Sequence, residues 1–277
     1  MMRAMYSAIS GLRNHQVMLD VVGNDLANVN TLGFKGNRVT FADSLAQLQR
    51  GATGATATQG GQNAAQIGLG VQLGSIDNLM QSGALQATGN PLDIAISGDG
   101  WFRVTTSVGG PIEYTRAGNF GRNTNGDLVT QDGFLVVGRN FTAGPPPGPG
   151  ATDIAINVPT SASNIAVAPD GLVSYDDALG VRQTAGYISL AKLPNEAGME
   201  RSGASRWATS PSSGAEIVGT PGAGVYGKTI SGAVEMSNVD MATEFTNMIT
   251  AQRGFQASSR VISVADQMLQ DLVNLQR

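Results

Sequence analysis

One histidine and three carboxylates near turns, Asp93, Asp99 and Asp127, are the first candidates for nucleophilic or acid–base chemistry in this 277-residue chain, which has no cysteine. His15 falls on the seam of a predicted helix, so Ser-His-Asp and Cys-His arrangements lack their parts. Two of Asp93, Asp99 and Asp127 could pair as the acid and base of a glycan- or peptide-cleaving enzyme, with Trp101-Phe102 as a ligand platform. Aspartate beside glycine more often bonds its own backbone in a turn, and Trp101-Phe102 reads as strand core. Gly68-Leu69-Gly70 followed by Gly74 imitates a dinucleotide loop, but the third glycine is misplaced and no helical pattern follows. These residues assign no catalytic, cofactor-binding or metal site, and no cofactor is expected.

The composition points the same way. Aromatic residues make up 5% and charged residues 14%, while glycine numbers 37, a thin, loop-rich make-up for an enzyme of this length. Seventeen basic against 21 acidic residues leave a net charge of −4 with no run of one sign, which argues against nucleic acid as a partner. Zero cysteine excludes a disulfide scaffold and a thiolate metal site. The segment Met1-Met2-Arg3-Ala4-Met5-Tyr6 opens no apolar block and no small-residue cleavage site, so no cleaved secretory signal is expected. Nor does any stretch approach the roughly 18 apolar residues that span a bilayer, so no stable membrane insertion is expected and the chain should be soluble at some stage.

The elements that would position any function lie at the two ends. Met5, Ala8, Leu12, Leu19, Val22, Leu26 and Val29 recur in steps of three, four or seven, with His15 the one polar seam position. Asn28, Asn30 and Gly33 supply stop signals, which predicts a helix over about 3–29. Met241, Met248, Ala251, Phe255, Ser258, Ile262, Ala265, Leu269 and Leu272 repeat the pattern, with Phe245 just off the seam. Ser237-Asn238-Val239-Asp240 reads as a capping box for a helix from about Val239 almost to Arg277. At 1.5 Å rise per residue these helices reach roughly 40 to 55 Å, and neither can hide its stripe alone. Pairing of the first and last segments solves this, with Met5, Leu12, Leu19, Val22, Leu26, Met248, Phe255, Ile262, Leu269 and Leu272 as the seam. Two ordinary helices on a globular core are the alternative.

Between the ends, the uncharged run 51–61 cannot bury enough surface to fold by itself and reads as a linker or assembly-ordered arm. Short apolar or alternating runs follow at Val71–Ile76, Leu92–Ile96, Trp101–Thr105, Ile112–Thr115, Phe134–Val137, Ile154–Val158, Leu172–Tyr175 and Tyr187–Leu193. Asn125-Gly126, Asp132-Gly133 and Asp170-Gly171 sit between them as turn pairs, which predicts an antiparallel β domain. Pro145-Pro146-Pro147-Gly148-Pro149-Gly150 should be an exposed extended loop. The class is therefore α+β: terminal helices over 1–33 and 236–277 forming a coiled coil, an extended arm over 34–75, and a mainly antiparallel β-rich outer domain over 76–235.

Several segments together resemble the bacterial flagellar hook and rod axial proteins. They are Ser10-Gly11-Leu12, Leu19 to Thr31, Gly33-Phe34-Lys35, Gly68 to Val71, Leu92 to Phe102, Tyr114 to Phe120, Glu235 to Asp240, Glu244 to Ile249 and Ala251 to Gln256. The combination is specific where no single piece would be. The family pattern usually has a second Asn where this chain has Asp25, a departure expected to be without consequence.

The resemblance implies a structural subunit, not an enzyme, that polymerises with itself into a helical tube, its terminal helices lining a channel and its β domain facing outward. It also implies export through the flagellar type III apparatus without a cleaved signal peptide. Within the family, the segment Glu244 to Gln256 and the closing Leu272-Val273-Asn274-Leu275-Gln276-Arg277 look most like short hook proteins. That makes the expected product the curved extracellular hook, a universal joint passing motor torque to the filament. Distal rod protein, hook cap and hook-filament junction proteins would be its neighbours. The alternative is the distal rod protein itself, a rigid drive shaft in the basal body.

Overall fold

The computed structural model describes residues 2–54, 60–140 and 153–275. The run expected as a proline-rich loop, the middle of the expected linker at 55–59, and Met1, Gln276 and Arg277 lie outside the described residues. The class is α+β, with a helix near each end and a central antiparallel β region, in two compact units.

The first unit holds α1 (Met2–Ala27), residues 37–78 and α2 (Met241–Leu275). Strand Asn37–Asp43 pairs antiparallel with Val71–Asn78, and Ala46–Arg50 with Ala65–Gly68. A bridge between Thr53 and Gln62 extends the same ladder past its strands. This is a long two-stranded hairpin, where the sequence predicts an extended arm with a strand signal only at Val71–Ile76. In the partner strand Val39 and Phe41 alternate with polar residues, two positions too few to be read as a strand alone. Asp25, 1% exposed near the end of α1, accepts the Asn37 backbone N–H at 2.7 Å and holds the start of that hairpin. The cap of α2 also differs from expectation: Asp240, not Ser237, accepts the Ala242 N–H at 3.1 Å and the Thr243 hydroxyl at 2.7 Å. Those bonds hold its carboxyl below the usual carboxylate range.

The second unit comprises residues 28–36 and 79–239. Its main sheet runs, neighbour to neighbour, through Ser163–Val167, Leu172–Asp176, Arg182–Ile188, Leu135–Arg139, Trp101–Thr105, Ile112–Thr115, Arg206–Ala208 and Glu200–Gly203, with every pairing antiparallel. The run Tyr187–Leu193 is not one strand. It breaks at Ser189 into the end of Arg182–Ile188 and the separate Leu190–Lys192, which pairs with Trp101 and Phe102. All three turn pairs fall between strands, and their glycines adopt the positive φ that such turns need, +92°, +84° and +82°.

Trp101 and Phe102 are both fully buried. Because successive strand residues point to opposite faces, the two rings enter different cores. Phe102 joins Ile94, Phe120, Leu128, Ile156 and Leu190, while Trp101 joins Tyr114, Leu193, Met199 and Trp207. Burial on both faces is what leaves no platform for a ligand there.

Candidate assembly interface

The residues suited to chemistry are scattered and already engaged. Asp93 accepts the Thr88 hydroxyl at 2.6 Å and the Asn90 amide at 3.2 Å; Asp127 accepts the amides of Asn123 and Asn157. Asp99 pairs with Lys192 at 2.7 Å, and that hydrogen bond holds its carboxyl below the usual range. No two of these carboxylates share a hydrogen-bonding partner in the bonds just described. Gly68 closes one strand and Gly74 lies inside the next, so the supposed nucleotide loop is a hairpin arm with no helix after it. Among the described residues no group of three or more His, Cys, Asp or Glu could hold a metal ion, and no helix is long and apolar enough to cross a membrane.

What the first unit offers instead is a helix pair. A Cβ added at Gly11 would lie 3.2 Å from the Ser258 hydroxyl, and one at Gly254 would lie 2.5 Å from the His15 ring. As numbers rise on α1 they fall on α2, so the pair is antiparallel. Ala8, Val22, Ala251 and Ala265 are buried, and Met5, Leu12, Leu19, Leu26, Met248, Phe255, Ile262 and Leu269 are half-buried. Small residues at the buried positions let the helix axes approach closely. Two oddities of the sequence explain each other: a glycine inside a helix is unfavourable by about 1 kcal/mol against alanine, yet Gly254 is the space into which the only histidine fits. His15 also meets Phe41 of the hairpin edge-on at 6.3 Å. Ser10 accepts the Val71 N–H at 3.2 Å and so ties the hairpin to α1.

Leu272 differs from the other seam positions. The antiparallel register brings Met2 level with about Gln267, so the end of α2 runs past the first described turn of α1, and Leu272, Val273 and Leu275 stand exposed at 49, 65 and 84%. A second apolar stripe on α2, through Val261, Val264, Met268 and Leu272, is likewise uncovered, as are Met2 and Tyr6 on α1. The hairpin adds Leu45, Leu48, Ile67, Leu73 and Ile76, all exposed. Apolar surface on this scale in one unit is the mark of a surface completed by another molecule.

The second unit also exposes apolar side chains, among them Val108, Leu179, Val181, Ile217 and Val225, while several of its charged groups are bound inward. Arg103, 2% exposed, reaches Asp153 with both terminal nitrogens at 2.8 and 2.7 Å and Glu216 at 3.0 and 3.1 Å; the Tyr114 hydroxyl donates to Glu216 at 2.9 Å. Burial, then the Glu216 carboxylate, push the Tyr114 phenol well above its ordinary 10.0. With the folded value raised, the folded chain keeps a proton that the unfolded chain gives up, so this stabilisation is complete below pH 10 and falls as pH rises beyond it. The slope from this group approaches about 1.4 kcal/mol per pH unit. Alkaline titration at the phenolate absorption band should show one tyrosine ionising only as the β unit unfolds, and the Tyr114→Phe protein should lose that late component. If Tyr114→Phe leaves the titration unchanged, the Glu216 contact is not holding the phenol.

Three family models match the chain: "Flagella basal body rod protein" over residues 5–35, "Flagellar hook protein FlgE/F/G D1 domain" over 95–175 and "Flagellar basal body rod FlgEFG protein C-terminal" over 230–275. The chain is 46% identical to the flagellar basal-body rod protein FlgG of Bacillus subtilis over 278 positions, covering all of both chains. It is 38% identical to FlgG of Agrobacterium fabrum, covering 96% of this chain and 97% of the relative. Similarity to the flagellar hook protein FlgE of Borreliella burgdorferi is 27%, and that alignment needs 442 positions to cover 99% of this chain and all of the relative.

Proposed function

Because the chain belongs to the flagellar rod and hook axial protein family, whose members are structural components of the flagellum, we propose that it is the distal rod subunit, a non-enzymatic building block of a straight, rigid shaft. One observation supports rod over the hook reading that the C-terminal wording favoured. The match to the rod protein of Bacillus subtilis runs end to end in 278 positions, whereas the hook relative aligns only with long interruptions over 442. The extra length lies in the hook relative and has no counterpart in this chain.

In this reading the antiparallel helices and the hairpin form the self-association surface, and the β unit is the outer body. Export without a cleaved signal peptide and contact with hook and other rod proteins follow as parts of the same proposal. The test is electron microscopy of isolated hook and basal-body assemblies labelled with an antibody raised against residues 140–150. Label on the straight shaft is the expected result; label on the curved joint outside the cell returns the chain to the hook.

The hairpin offers a second measurement. In a shaft, residues 51–66 act as a spacer between neighbouring copies and forbid the sliding that curvature requires. Deleting them should turn straight polymer into curved polymer under the microscope. Polymer of unchanged shape would remove the hairpin from the explanation of rigidity.

A further inference from the structure

The second unit buries charge where the chain enters and leaves it. Lys35 and Glu235 have fully buried side chains and meet at 2.6 Å. The same Glu235 oxygen accepts the Gly83 N–H at 2.9 Å, and its other oxygen accepts Arg116 at 3.1 Å, a side chain only 2% exposed. Lys35 also donates to the Gln81 carbonyl at 2.8 Å. Burial depresses the Lys35 ammonium below its ordinary value, with Glu235 opposing that effect.

The contacts continue away from the ion pairs. The Arg116 guanidinium stands 5.3 Å from the centre of the Trp101 ring, and Trp101 meets Trp207 edge-on at 6.0 Å and 66°. Arg201 stands 4.9 Å from the Trp207 ring and 4.7 Å from Phe34, and it donates to the backbone carbonyl of Lys35. The path has returned to its start. A cation over an indole is stabilising, most so where it is desolvated, as Arg116 is.

We infer that Lys35, Glu235, Arg116, Trp101, Trp207 and Arg201 form one closed ring of ion pairs, cation–π contacts, an edge-on indole pair and a backbone hydrogen bond that works as a clasp. It fastens the three segments through which the β unit is joined to the rest of the chain, at 33–36, 81–83 and 235–238, to the main sheet. Backbone bonds close the same knot. Gly33 N–H donates to Glu235 O at 2.8 Å, Leu79 N–H to Gly36 O at 2.8 Å, and Asn238 accepts the Gly36 N–H at 2.8 Å while donating to Leu79 O and Gln81 O. Pull on any of these segments is thereby shared among all of them and passed to the sheet through side chains, before the short ladder of Leu85–Ala87 and Ala233–Glu235 takes it alone. The clasp rests on the folded chain and not on the distal rod reading, and either can fail without the other.

Trp101 and Trp207 are the only two tryptophans of the chain, so its indole emission reports on the ring. In the full-length protein, Arg201→Ala and Arg116→Ala should each shift the emission to longer wavelength, increase acrylamide quenching and lower the thermal midpoint. The double variant should melt no lower than the weaker of the two, since a ring opened once cannot be opened again. Arg201→Lys should recover only part of the loss, because an ammonium lacks the flat face that stacks on indole. Arg201 is exposed, so its variants should fold; where Arg116→Ala does not, Glu235→Gln, which keeps the volume, replaces it in the double variant. Unchanged emission in Arg201→Ala, or singles that simply add in the double variant, would overturn the clasp.

Discussion

Replacing Ile262 by Asp abolishes polymerisation while leaving the β unit folded. Ile262 lies on the α1-facing side of α2, half-buried between the level of Ser258, which meets Gly11, and the buried Ala265. The change removes apolar contact and sets a carboxylate on a seam of small, apolar residues with no cation predicted or observed among its buried positions. An uncompensated charge in such a place costs several kcal/mol, and partial exposure brings the expected value to about 3 kcal/mol. A seam built on alanines is narrow, so a loss of this size separates the helices. Circular dichroism should lose helical signal, sedimentation should show monomer under conditions where the parent chain forms polymer, and indole emission should stay as in the parent. Polymer of normal yield from Ile262→Asp would sink the seam as the basis of assembly.

The Gly118→Ala protein, in contrast, keeps its helices and has a markedly destabilised β unit. Gly118 is buried, its carbonyl accepts the Ile94 N–H at 2.8 Å, and a Cβ added there would fall on the Ile94 carbonyl oxygen and lie 3.3 Å from the Phe102 ring. The obstruction is backbone, which no rotamer change can relieve. Overpacking of a core typically costs about 1 to 3 kcal/mol, and a clash with a paired strand belongs at or above the upper end. For a unit of this size about 3 kcal/mol corresponds to a thermal midpoint roughly 10 °C lower. Differential scanning calorimetry of the single variant tests it; a midpoint within error of the parent would mean that the strand pair at Ile94 can shift without loss.

The sequence was most legible where one rule governed many residues. Steps of three and four over the terminal segments placed both helices to within about two residues, because burial along a single stripe leaves a regular trace. Strands such as Trp101–Thr105 and Ile112–Thr115 were bounded correctly for the same reason, being apolar and flanked by turns. Glu200–Gly203 was missed because all four residues are exposed, so no pattern of burial was written into them. Lys35, Arg116 and Glu235 stood inside the family segments and were still unread as a group. Charge normally predicts surface, and Lys35 and Glu235 meet across a separation of 200 positions that no local rule spans. The antiparallel register of the helices was likewise hidden until Gly254 and His15 were seen at one level.

That register also dictates an order of events in folding. α1 and α2 are joined only through residues 28–240, so their pairing must close nearly the longest loop the chain can make. Each doubling of an open loop adds only about 0.6 kcal/mol to closure, but non-local contacts of this kind are slow to form. Once the β unit has condensed, the loop is shorter and stiffer, and the two helices are no longer searching as ends of a random coil. The expected order is therefore β unit first and helix pair second, which would leave for an interval a folded β unit with two unmatched amphipathic segments, the species in which a second copy could be met before the partner helix of the same chain.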